Sequence, residues 1–141
     1  MQYYKLPLSV NKIIRNEEAD TCSIEQSIAH FIHLIATSHF GEYDFDDTFG
    51  CTIWEIDFDN LTSTNKLRYS IAQSIEKTLN LHEKRLTNIS VDVNIIQDEF
   101  RGVESHNRVK KRVDINIKSI KKQTNETFNC LERFYIAPLA N

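Results

Sequence analysis

The spacing of the hydrophobic residues changes once along the chain, and the change falls at Glu83-Lys84-Arg85. Before that tripeptide, apolar side chains recur at helical intervals; after it they recur at every second residue, as in strands with one wet face. Ile24, Ile28, Phe31, Ile32 and Ile35 form one helical stripe, and Leu67, Ile71, Ile75 and Leu79 form another. Beyond the change, Ile89, Val91, Val93 and Ile95 alternate with Ser90, Asp92 and Asn94. Val113, Ile115 and Ile117 do the same between polar neighbours, and a third run holds Phe128, Cys130, Phe134 and Ile136. Turn-like stretches at 101–107 and 123–126 separate these runs. Successive strands with short connections make an antiparallel meander. The expected fold is therefore α+β, with N-terminal helices packed on one face of a three-stranded antiparallel sheet.

The helix limits are also written in the chain. Ser23 and Gln26 are spaced as a capping box, and Glu25 suits the positive helix end, which sets the first helix over 23–37. Thr62-Ser63-Thr64-Asn65 supplies caps for the second, which is expected to end near Asn80-Leu81. Ser70, Ser74 and Thr78 beside its stripe allow close approach to a neighbour. Between the helices, Gly41 ends the first helical region, and Gly50 suits a left-handed or closely packed backbone position. For the segment Ile53 to Phe58, either a short helix from Thr48 or an extended run fits, and the alternation after Glu55 favours the extended form. Residues 1–20 have no clear period and are expected to form a loosely attached arm.

A chain of 141 residues without linkers or low-complexity tracts is expected to be a single domain over 1–141. The longest uncharged run, Ser27 to Phe40, is too short to cross a bilayer, which takes about 20 apolar residues. The N-terminus has no signal-peptide pattern, so a cytoplasmic protein without membrane insertion is expected. Cys22, Cys51 and Cys130 lie far apart and read as reduced core residues. His30 and His33 fall on the polar side of the first helix with no third ligand at suitable spacing, so neither a metal nor another cofactor is expected. Seven acids lie between Phe40 and Asn60, while Arg108 to Lys122 is strongly basic. Such polarity either orients a molecule among charged neighbours or simply solvates two faces. With a net charge of −3 and no interleaved aromatics, the basic stretch does not make a nucleic-acid platform. Lys110, Lys111, Lys121 and Lys122 would either guard a sheet edge or frame a site where a partner adds a strand.

Glu83-Lys84-Arg85, placed between an amphipathic helix and an alternating strand, resembles the Glu-Pro-Arg signature of the GPW/gene-product-25-like family of phage baseplate wedge proteins, which includes the TssE branch of type VI secretion. Ser38-His39-Phe40-Gly41-Glu42-Tyr43 and Asp47-Thr48-Phe49-Gly50 occupy the places of that family's Gly-Glu-Arg and Pro-x-Phe-Gly motifs. Lys84 stands where the signature has proline, so no fixed φ stiffens this turn. The resemblance implies a structural role without catalysis. Glu83, Lys84 and Arg85 would contact the bundle of other wedge subunits, and the sheet would template the first ring of sheath subunits by strand addition at an edge. From the residues themselves, Arg85 either forks onto a partner or closes the turn against Glu83. In the first case Arg85→Ala would leave the fold intact while abolishing wedge capture. A small adaptor for a soluble regulator and a lysozyme-like hydrolase with two spaced carboxylates are the alternatives. The hydrolase lacks any nucleophile elbow, metal motif or phosphate loop.

Overall fold

The computed structural model describes residues 2–54, 63–100 and 108–136; the side chains of 97–100 and 108–110 are not part of that description. Strand β1, Tyr3–Tyr4, pairs antiparallel with β2, Thr21–Cys22, and helix α1, Val10–Ile14, lies between them. The N-terminal arm is thus a small folded unit, although α1 buries none of its residues. A hydrogen bond from the Leu6 amide to His30 Nδ1, at 3.4 Å, ties the arm to the next helix.

That helix, α2, Ile24–Thr37, starts at the expected capping box: Ser23 Oγ accepts from the Gln26 amide, and Gln26 Oε1 accepts from the Ser23 amide. Two of the orphan donors at the helix start are satisfied in this way. Ile28, Ile32, Ile35 and Ala36 are buried. Helix α3, Thr64–His82, is capped by Ser63 and runs slightly past Asn80-Leu81 before the Glu83 amide donates to Leu79 O at 2.8 Å. It buries Leu67, Ile71, Ile75 and Leu79 together with the small residues Ser74 and Thr78.

Those two hydroxyl residues hold the link between the helices. Thr78 Oγ1 donates to Gly50 O at 2.9 Å, and the Thr52 amide donates to Ser74 Oγ at 3.3 Å. Ile53 and Trp54 sit in a 3-10 turn, Thr52–Trp54, a helical conformation that the sequence had left open for this stretch beside the extended one. Tertiary anchors hold this turn: Ile53 is buried, and Trp54 Nε1 donates to Ala36 O at 2.8 Å. The remainder of that run, with Glu55, Asp57 and Asp59, lies outside the described residues. Gly50 has φ +135°, and a Cβ there would stand 2.7 Å from the His39 carbonyl carbon. The close approach lets Cys51 donate its amide to Ser38 O at 3.0 Å. Cys51 is buried, with its thiol donating to Ala36 O at 3.4 Å, and Cys22 and Cys130 are half-buried.

Strands β3, Leu86–Phe100, β4, Arg108–Lys121, and β5, Thr127–Ile136, form an antiparallel sheet in the order β3-β4-β5. Val93, Val113, Ile115, Ile117 and Phe128 share the core with the helices. The turn expected at 101–107 lies outside the described residues. The 123–126 turn closes with Asn125 at φ 55° and the Lys121 amide on Glu126 O.

One expectation is corrected by this order. A meander places its middle strand at the centre, so the lysines on β4 line no sheet edge. Lys121 is instead buried and ion-paired with Glu25 at the start of α2 and with Glu126 in the following turn. Asp114 likewise accepts from Arg133 at 2.8 Å and lies 3.3 Å from Arg112 Nε. Part of the basic stretch is therefore neutralised within the domain.

Hydrogen bonds to Glu126 and Glu25 raise the Lys121 pKa, and its ammonium lowers those of both carboxylates below their ordinary 4.5. Groups with lowered folded values stabilise fully above the unfolded value and lose that contribution as pH falls through the folded one. Urea midpoints are expected to decline below about pH 4.5, and a Glu25→Gln, Glu126→Gln double variant should flatten part of that decline while losing stability at neutral pH. Gly50→Ala should cost about 2–4 kcal/mol, from combined clash and left-handed strain. Gly41→Ala, with φ +76° and no atom within 4 Å of the added carbon, should cost only about 1 kcal/mol by the same denaturation measurement.

Candidate docking site at the helix-sheet junction

The chain passes from α3 into β3 through Glu83, Lys84 and Arg85, so this tripeptide joins the two halves of the fold. The Glu83 side chain is only 2 % exposed and that of Arg85 28 %. Arg85 Nε donates to Glu83 Oε1 at 2.8 Å and Nη2 donates to Oε2 at 2.7 Å, a two-pronged guanidinium-carboxylate fork. The Arg85 amide also donates to Glu83 Oε1 at 3.0 Å. A carboxylate that accepts the amide two residues on closes the turn locally, which supplies the stiffness that no proline provides here. The fork raises the Arg85 pKa above its ordinary value, against the opposing effect of burial.

Three further elements fix the fork. Arg85 Nη1 donates to Ser27 Oγ on α2 at 2.8 Å. The Tyr3 ring of the arm lies 5.2 Å from the guanidinium carbon, in cation-π range. Arg85 O accepts the Lys122 amide at 2.9 Å, which clasps the start of β3 to the end of β4. Lys84 alone of the three is exposed. The structure thus realises the intramolecular pair for Glu83 and Arg85 and leaves Lys84 with the flank of Arg85 at the surface. Ser27 and Tyr3 were not singled out from sequence, and Lys122 was read only as one of the lysines at a sheet edge; no spacing links residues so far apart in the chain.

Other candidate groups have structural partners. His33, on the polar side of α2, bonds Glu132 on β5 at 3.0 Å and stacks on Phe134. His82 Nε2 lies 3.1 Å from Thr48 Oγ1 and 3.6 Å from Asp46 Oδ2. One imidazole nitrogen faces both groups, whereas a nucleophilic triad would hold the carboxylate on the other nitrogen. Burial raises the Cys130 thiol to about 11, which keeps it protonated at neutral pH. Among the described residues, no three His, Cys, Asp or Glu side chains gather as a metal site, and no helix is long and apolar enough to cross a membrane.

Helices on one face of an antiparallel meander, joined through a buried acid-arginine fork, make an α+β domain of the gp25-like fold. Residues 22–122 match the family model described as baseplate wedge protein gp25, and the chain belongs to that family. Its members are generally structural components of phage-tail-like baseplates, which implies assembly with other baseplate proteins. The fold is similar to the crystal structure of a candidate tail lysozyme from Geobacter sulfurreducens: 25% identity, TM-score 0.59, covering 87% of this chain and 100% of that one. No curated protein matches the chain in the corresponding comparison.

Because Glu83 is buried and held by Arg85, removing the cation leaves a carboxylate without its counter-charge. Arg85→Ala is therefore expected to reduce stability by about 2–4 kcal/mol, the lower end reflecting the partial exposure of Arg85. This differs from the sequence expectation of an intact fold, and thermal or urea unfolding measures it directly.

Proposed function

We propose that this chain is a TssE-like wedge component of a type VI secretion system, which joins the wedge bundle through the Glu83-Lys84-Arg85 turn and initiates sheath assembly in the cytoplasm. The observation that carries the reading is the construction of the turn. Glu83 is spent internally, so it orients the tripeptide, while Lys84 and the open flank of Arg85 present fixed positive charge at the junction. A cationic knuckle on a braced turn suits an acidic or carbonyl-rich groove between helices of a partner, because the backbone and Arg85 are already ordered and only the Lys84 side chain is left to order on binding. The sheet serves the second partner, the first ring of sheath subunits, by accepting an added strand at an edge.

The name of the Geobacter sulfurreducens protein raises the second reading, glycoside hydrolysis. A glycosidase of the usual kind needs two carboxyl groups about 5–9.5 Å apart flanking the sugar bond. Among the described residues, the pocket beside the arm, lined by Tyr4, Leu8, Ile13 and Glu18 among others, offers Glu18 as its one carboxylate, and Glu83 is occupied by Arg85. This favours assembly over hydrolysis.

Lys84→Glu separates docking from folding, since Lys84 is exposed. It should leave the melting temperature within about 1–2 °C of the parent, as for most surface changes, and abolish co-purification with the other wedge subunits. Retained capture by the Lys84→Glu protein would overturn the role of the turn. Turnover of cell wall by the purified parent protein would favour the hydrolase instead.

A further inference from the structure

Phe45 is the most exposed of the large hydrophobic side chains among the described residues, at 83 %. Local hydrogen bonds hold it there. The Asp46 amide donates to Tyr43 O at 3.2 Å, which makes 43–46 a β-turn with Asp44 and Phe45 as its two central residues. The Glu42 amide donates to His39 O on one side of the turn. On the other side Thr48 gives its amide to Asp46 Oδ1 at 2.9 Å. The exposed ring is also braced from below. Phe45 meets Tyr43 with ring centroids 5.4 Å apart, Tyr43 meets Phe49 edge-on at 5.3 Å, and Phe49 meets Phe31 of α2 at 5.8 Å. Phe49 is buried, so a file of aromatic rings runs from the core to the solvent and ends on Phe45. A ring ordered in advance lowers the cost of binding, and rigid aromatic side chains are common interface anchors.

Charge at the tip decides what the ring takes. From Phe40 to Asn60 the sequence has seven acids and no lysine or arginine. Two acids of the loop are used locally: Glu42 accepts the His39 amide at 2.9 Å, and Asp46 accepts from Thr48 and faces His82. Asp44 and Asp47, on either side of Phe45 in the chain, are exposed, and their carboxylates have no partner among the described residues. An aromatic face beside carboxylates attracts a cation twice, through the ring quadrupole and through opposite charge. A guanidinium suits both better than an ammonium does, because it is planar, stacks on rings and carries its donors in a fork. A symmetric pairing of two copies through this tip would set acids against acids. Nucleic acid and anionic membranes are repelled in the same way.

We propose that the 43–47 turn is a docking knuckle for a segment of another protein that carries an arginine beside an apolar residue. The guanidinium lies over the Phe45 ring and donates to Asp44 or Asp47, while the apolar neighbour packs against the Tyr43 ring. The partner is defined by this chemistry, so the inference does not depend on the reading under Proposed function. The knuckle is separate from the Glu83-Lys84-Arg85 turn, although His82, whose ring reaches Thr48 Oγ1 at 3.1 Å, immediately precedes that turn.

The probe is an acetylated, amidated Arg-Leu-Arg-Leu-Arg peptide, titrated into the isotope-labelled full chain at low salt and followed by the amide resonances. It should shift the amides of 42–49 and bind about threefold or more tighter than the same peptide with lysines. The peptide with glutamates should leave those amides unshifted. Phe45→Leu keeps an apolar side chain without the ring and should weaken binding about threefold or more. An Asp44→Asn, Asp47→Asn double variant should weaken it about fivefold at low salt and less at high salt. All three positions are exposed, and melting temperatures close to that of the parent confirm that the variants fold. No binding of the arginine peptide, shifts that map outside 42–49, or undiminished affinity of Phe45→Leu would overturn the proposal. Self-association of the parent in sedimentation that Phe45→Leu abolishes would assign the ring to a second copy and overturn it as well.

Discussion

A carboxylate taken out of water must be matched, and the burial of Glu83 determines how the two halves of this domain meet. Its two oxygens accept three donors from Arg85. The rest of that guanidinium then reaches Ser27 on α2 and lies against Tyr3 of the arm. The tripeptide therefore measures whether α2, α3, the first strand of the sheet and the arm are all in place. Buried pairs of this kind add modest net stability over an apolar substitute but strongly penalise structures in which one partner is missing. In an assembly protein this favours a single geometry for the surface next to the pair, where Lys84 projects.

Most of the fold was legible in the sequence because it rests on periodicity. The stripe from Ile24 to Ile35, the four-residue repeat from Leu67 to Leu79 and the alternation from Ile89 onward all describe faces that must leave water. The Ser23-Gln26 box fixed a helix start with atomic detail, since capping is a local interaction. The segment at Ile53 and Trp54 was left open between a short helix and an extended run. Its conformation depends on Ala36, Ser74 and Thr78, partners remote in sequence, and local alternation carries no record of them. The basic stretch misled for a similar reason: Lys121 and Arg112 look like solvated charges until Glu25, Glu126 and Asp114 are brought beside them.

The candidate site was located by its place in the chain, and its chemistry was resolved only by the structure. A Glu and an Arg two residues apart fit both an internal pair and an outward-facing pair of hooks. Burial decides between them, and burial arises from α2 and α3 closing over the turn. Under the proposed function, docking and folding would be divided within one tripeptide, with Glu83 and Arg85 setting the geometry and Lys84 offering contact.

The central claim is that Glu83 and Arg85 act as one internal unit, and a double-mutant cycle in urea tests it most directly. Stability would be measured for the parent, Glu83→Gln, Arg85→Met and the combination. The account predicts that the double variant is less damaged than the two single changes together, with a coupling of about 2 kcal/mol or more. Additivity within about 0.5 kcal/mol would contradict it.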